Sequence, residues 1–177
     1  IFEKYNDLIK FHNFSSKIIT DKAPQNFLWI GFIKIFFPGS KIIHCSRNPK
    51  DNCLSIFKNY FSSKTMYWAY DQKDIADYYV LYFNLMNFWK SKFNEDIYEA
   101  NYEKIVNSPE TEVKKMISFC GLNWEAECLN FYKNKKTPVQ TVSVSQASKP
   151  IYNTSINSNE FYVKYLSEMF NILDSNL

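Results

Sequence analysis

The stretch Lys41-Ile42-Ile43-His44-Cys45-Ser46-Arg47-Asn48-Pro49-Lys50-Asp51 decides the fold. Lys41 to Cys45 is short, β-branched and apolar, the pattern of a buried strand, and Asn48-Pro49 then breaks the chain as a turn. Asp51 opens an amphipathic segment, Lys50 to about Tyr60, that reads as a helix. In a strand–loop–helix unit, the loop beyond the strand's carboxyl end faces a helix N-terminus, and anionic ligands bind there. Arg47 stands in that loop, the only arginine in a chain with 21 lysines and arginines together. A guanidinium grips a phosphate or carboxylate at two points through a rigid fork of donors, whereas lysine supplies a compact charge on a flexible stem.

The same alternation extends outward. Lys17-Ile18-Ile19-Thr20 predicts a short buried strand, Asp21-Lys22-Ala23-Pro24 the loop after it, and Pro24 the first turn of a helix over about Gln25 to Phe36, ended by Pro38-Gly39. Ser62 to Lys73 lacks a clear period and reads as a loop. A long aromatic helix follows from about Asp74 to Phe93, its large side chains read as core, and Asp96 to Asn101 predicts a third strand with Tyr102-Glu103 at its carboxyl end. Ser108-Pro109-Glu110 combines a serine N-cap, a proline at the first helical position and acids near the positive end of the dipole, and Gly121 is the matching stop. Thr137 to Asn159 is polar and irregular, a length that inside a compact domain is functional or disordered. The last helix, about Glu160 to Asp174, is expected to bury Tyr162, Leu166, Met169, Phe170 and Leu173.

This order predicts an α/β fold, a parallel sheet flanked by helices, in one domain spanning residues 1–177. In a parallel sheet the three strand ends share an edge, so Lys22, Arg47 and Tyr102 are expected to converge. Arg47 and Ser55, the latter on an early turn of the next helix, suit one phosphate together. Lys22 supplies a second cationic centre for charge on a transferring group.

Composition bounds the alternatives. With 177 residues, 46% hydrophobic, the chain can bury one core. Its net charge of +3 comes from lysines scattered among acids, which leaves no nucleic-acid footprint. The apolar run from Phe27 to Phe37 is interrupted by Lys34 and too short to span a bilayer, and no signal-peptide pattern opens the chain, so the expectation is a soluble, cytoplasmic protein. Cys45, Cys53, Cys120 and Cys128 match no zinc spacing and read as reduced thiols without a metal. Of the two histidines, His44 reads as packed within its strand and His12 as exposed.

Asp21-Lys22-Ala23-Pro24-Gln25-Asn26-Phe27, then Arg47-Asn48-Pro49-Lys50-Asp51 with Ser55, then Tyr102-Glu103-Lys104-Ile105-Val106, then Thr141-Val142-Ser143 with Gln146, Lys149-Pro150-Ile151-Tyr152 and Ser155-Ile156, resembles in order the sulfotransferases. These use 3′-phosphoadenosine 5′-phosphosulfate (PAPS). The resemblance covers nearly all of the chain and is closest to the bacterial and tyrosylprotein-type branch, which includes domains attached to tetratricopeptide repeats. It implies a P-loop NTPase-like architecture, PAPS as co-substrate and 3′,5′-ADP as product. It further implies that Arg47 and Ser55 bind the 3′-phosphate, that Tyr102 contacts the adenosine end, and that Ser143 and Lys149 close over the nucleotide. Lys22 matches the lysine at the bridging oxygen and sulfuryl group.

Three departures stand out. Asn59 falls where some relatives carry a basic residue, and Asn157 to Phe161 lacks the more basic, tryptophan-containing pattern common there. The family's first strand and glycine-containing phosphosulfate loop have no counterpart, since Gly31, Gly39 and Gly121 lie elsewhere. With Ile1 in first place, this predicts an N-terminally truncated piece of a longer chain. Two functions are therefore carried forward: sulfuryl transfer from PAPS to a hydroxyl or amine of a protein, carbohydrate or small-molecule acceptor, and a non-catalytic 3′-phosphonucleotide-binding or assembly module. A P-loop kinase relative lacks its Gly-Lys-Ser/Thr loop here.

Overall fold

The computed structural model describes residues 3–5, 7, 18–133 and 149–177. A 3-10 segment, Pro24–Trp29, leads into α1 (Ile30–Phe36), followed by β1 (Ile42–Ser46), α2 (Pro49–Phe57), α3 (Gln72–Lys92), β2 (Ile97–Asn101), α4 (Tyr102–Asn107), α5 (Pro109–Phe119) and α6 (Ser167–Asn176). The two strands pair in parallel, with Ile42 opposite Ile97 and Ser46 opposite Asn101. Their carboxyl ends therefore leave the sheet at one edge. Each end passes almost directly into a capped helix: the Asn48 side chain accepts from the Asp51 amide at 3.1 Å, and that of Asn101 from the Lys104 amide at 2.9 Å. An asparagine cap satisfies an amide that has no partner within its own helix.

The helix α3 joins two apolar clusters. Ile75, Ala76 and Tyr79 near its start pack with Cys53 and Leu54 of α2 and with Leu166, Met169, Phe170 and Leu173 around α6. Met86, further along, packs with Ile30 of α1 and Ile97 of β2. A buried leucine or methionine contributes about 1.5–3 kcal/mol relative to exposure, so α3 ties α2 and α6 at its start to α1 and β2 further along. Lys34 of α1 is a buried ammonium, satisfied by the Pro38 and Ser40 carbonyls at 2.6 and 2.9 Å and by Asp96 at 2.9 Å. Among the described residues no helix is long and apolar enough to cross a membrane.

Several expectations change. Ile18, Ile19 and Thr20 form no strand, and Ile18 and Ile19 are 55% and 43% exposed; a strand exists only where another lends it hydrogen bonds, and among the described residues none does. Lys17 lies outside the described residues. Ser62 to Lys73 holds a 3-10 helix, Lys64–Tyr70, kinked at Met66. Ser108 precedes α5 without a side-chain capping bond, while Gly121, at φ +69°, ends it as expected. The final helix starts later, at Ser167, after a short 3-10 helix at Ser158–Tyr162. Tyr162 is half-buried, and Leu81 and Phe88 on α3 are exposed, so that helix is core along one stripe only.

Candidate functional site

Arg47 leaves the sheet one residue after β1, and Tyr102 one residue after β2. Parallel pairing brings them together: the guanidinium carbon lies 5.0 Å from the centre of the Tyr102 ring, a cation–π contact. One Arg47 Nη2–H donates to the Ser155 carbonyl at 2.5 Å. The Nε–H is buried and has no hydrogen-bond partner among the described residues. Burial pushes the Tyr102 hydroxyl up in pKa, while the Arg47 charge and the Ser155 side chain oppose the shift.

Ser55 sits half-buried on the second turn of α2, and its carbonyl accepts from the Asn59 side chain at 2.6 Å. Asn59 thus caps the end of its own helix. The N-terminus of α2 departs from expectation. Its Asn48 amide donates to the Glu103 carboxylate at 2.8 Å, so a carboxylate of the chain already sits where an anion was expected to dock.

Lys22 is exposed in the loop ahead of the Pro24 turn. That loop is pinned by Asp21, which accepts from the Asn26 side chain at 3.2 Å and from the Tyr5 hydroxyl at 3.1 Å. The Lys22 charge reaches the Cys45 thiol on β1, whose pKa burial raises and Lys22 pulls back down. Lys149 is exposed at the start of the returning segment, and Ser143 lies outside the described residues. The structure therefore groups Arg47 with Tyr102 and sets Ser55 on the adjoining helix, while no hydrogen bond or ion pair among the described residues joins Lys22 to them.

Beside Arg47 opens a cavity of about 450 Å³ between the sheet and α3, with His44, Ser46, Lys90 and Glu99 on its polar side and Tyr79, Phe83 and Met86 on its apolar side. Ser46 donates to Glu99 at 3.0 Å, and Glu99 also pairs with Lys90. The Lys90 hydrogen bond holds Glu99 below the usual carboxylate pKa. His44 Nε2 meets the Tyr82 hydroxyl at 2.5 Å, while its Nδ1 is buried without a partner among the described residues. Desolvation, then the Lys90 charge, lowers His44 to about 4 against the pull of Glu99. Tyr82 is pushed up to about 12, chiefly by burial. Among the described residues no three His, Cys, Asp or Glu side chains stand together as metal ligands.

The model of the sulfotransferase family matches residues 1–126 of this arrangement. The chain belongs to the sulfotransferase family. An uncharacterized protein of Aquifex aeolicus (strain VF5) is 36% identical over 157 residues, which is 88% of this chain and 20% of that protein. The chain thus spans about a fifth of the length of this curated relative. The sulfotransferase domain from the curacin biosynthetic pathway superposes with a TM-score of 0.63 at 17% identity, over 98% of this chain and 66% of that one. At that identity the likeness establishes the fold, the α/β, P-loop-like architecture of sulfotransferase domains, and membership supports a sulfotransferase-type function.

Sequence reasoning missed two features of this candidate site. It took Asp51 only as a helix opener, and it treated Asn157-Ser158-Asn159 only as a departure from the family pattern. Asn-Ser-Asn is a turn signature, but nothing local links it to a carboxylate more than a hundred positions earlier.

Proposed function

We propose that the chain is the nucleotide-binding part of a PAPS-dependent sulfotransferase that moves the sulfuryl group from PAPS to a hydroxyl or amine acceptor. The observation that carries this reading is the buried Nε–H of Arg47 beside the Tyr102 ring, a donor with no hydrogen-bond partner among the described residues. A buried donor without an acceptor is costly, and a phosphate oxygen meets it with a charge-assisted bond. In this reading Arg47 and Ser55 hold the 3′-phosphate, Tyr102 offers its face to the adenosine end, and Ser143 and Lys149 close over the nucleotide. In the transfer the acceptor oxygen or nitrogen bonds to sulfur as the bond from sulfur to the bridging oxygen breaks. The electron pair leaves with 3′,5′-ADP, and the acceptor's proton passes to a base. Lys22 stabilises the charge that builds on the bridging oxygen, so catalysis is positioning plus electrostatics, by analogy with phosphoryl transfer. The four unpaired cysteines support a reducing, cytoplasmic setting.

The test is calorimetric titration with 3′,5′-ADP and 5′-AMP. Charge-assisted bonds of about 1.5–3 kcal/mol imply at least a roughly tenfold preference for 3′,5′-ADP. Arg47→Lys should lose nearly as much of it as Arg47→Ala, because the fork is lost in both. Equal affinity for the two nucleotides on folded protein removes the PAPS reading.

The exposure of Lys22, which makes no ion pair among the described residues, favours a second reading: a module that keeps the 3′-phosphate contacts without chemistry. Radiolabelled sulfate transfer from PAPS separates the two.

A further inference from the structure

Asp51 is wholly buried, and among the described residues no cation pairs with it. Its carboxylate is satisfied instead by four hydrogen bonds from one short turn far along the chain. Oδ2 accepts from the Asn157 amide at 2.8 Å. Oδ1 accepts from the Asn159 amide at 2.8 Å, the Asn159 side chain at 2.9 Å and the Ser158 hydroxyl at 3.1 Å. Asn157 reaches this geometry at φ 57°, the one left-handed non-glycine residue among those described. Asparagine is the ordinary residue that tolerates that conformation. Burial pushes the Asp51 carboxyl up in pKa, and the bonds from Asn159, Asn157 and Ser158 outweigh it, leaving the group below its usual value.

The clasp has a second end. Two residues before Asn157, the Ser155 carbonyl takes the Arg47 Nη2–H. One five-residue segment is therefore anchored to the first turn of α2 by Asp51 and rests on the guanidinium at its other end. Arg47 and Asp51 are four positions apart in sequence, yet they communicate through a loop that returns more than a hundred residues later.

We propose that Asp51 is a positioning residue for Arg47. Its carboxylate fixes the turn at 157–159, the turn fixes the Ser155 carbonyl, and the carbonyl orients the guanidinium over Tyr102 with Nε left to meet a phosphate oxygen. The functional consequence rests on the PAPS reading above; the mechanical link does not. Asp51→Asn tests the link because the new amide –NH₂ opposes one of the turn's donors while the volume is unchanged.

The single arginine makes the experiment direct, since the ¹H–¹⁵N spectrum contains one arginine Nε–H signal. In the wild-type chain this buried Nε–H should exchange slowly with water and show a rigid order parameter. In Asp51→Asn, exchange should be at least about tenfold faster, from the loss of one or more charge-assisted bonds, with the amide signals of α3 and β2 retained. Ser158→Ala and Asn159→Ala, which each delete one donor outside α2, should show the same change in smaller measure and carry the test where Asp51→Asn does not fold. Unchanged Nε–H exchange in folded Asp51→Asn, or in both smaller variants, overturns the proposal. The ratio of 5′-AMP to 3′,5′-ADP dissociation constants is the companion measurement. It should fall toward one in Asp51→Asn, whereas a role confined to stability would weaken both nucleotides alike. A wild-type chain without the preference removes the PAPS reading, and the Nε–H signal still judges Asp51.

Discussion

His44 should make folding stability depend on pH between about 4 and 6.5, with a sign opposite to that of a histidine that gains a carboxylate partner. Its ring is packed between the sheet and α3, its Nε2 is engaged by the Tyr82 hydroxyl, and its Nδ1 has no partner among the described residues. Whichever nitrogen holds the proton of the neutral ring, adding a second leaves a buried N–H without an acceptor, close to the Lys90 ammonium. The folded value of about 4 against the ordinary 6.5 corresponds to about 3 kcal/mol at about 1.4 kcal/mol per unit. In that window the unfolded chain binds a proton that the folded chain refuses, so stability rises with pH. The contribution is full above about pH 6.5 and is lost as pH falls toward 4. Other groups titrate in the same range, and the variant His44→Gln removes only this one. Urea unfolding of both proteins at half-unit steps from pH 4 to 7 should show the gap, wild type minus variant, growing by about 3 kcal/mol across the range. Parallel curves would mean that His44 titrates normally in the fold and that its packing against Tyr82 is looser than described.

Gly31→Ala should destabilise despite alanine's helix preference of about 1 kcal/mol, because a Cβ there would lie 2.8 Å from the Trp89 ring. That indole is held by its bond to the Phe27 carbonyl at 2.8 Å, so overpacking of about 1–3 kcal/mol is expected in thermal melts, with Gly39→Ala, which meets nothing within 4 Å, as the neutral control. Lys22→Ala should lower sulfate transfer from PAPS by about 10²–10³, the usual loss for an electrostatic stabiliser, while 3′,5′-ADP affinity changes little; unchanged turnover would take the transfer step away from that lysine.

What the sequence determined by itself was local. The β1–α2 unit, the stop at Gly121 and the meeting of Arg47 with the end of β2 follow from side-chain periods and stop signals that act within a few residues, or from two parallel strands sharing an edge. Tertiary structure decided the rest. Ile18 to Thr20 has the composition of a strand, but strands are made by partners, and among the described residues that segment has none. Glu103 lies one residue past Tyr102, yet its occupation of the α2 N-terminus depends on how two loops meet. Asp51 reads as a helix opener because acids suit a first turn. Its four donors arrive from residues 157–159, and only the folded chain brings that turn within hydrogen-bonding distance of a buried carboxylate.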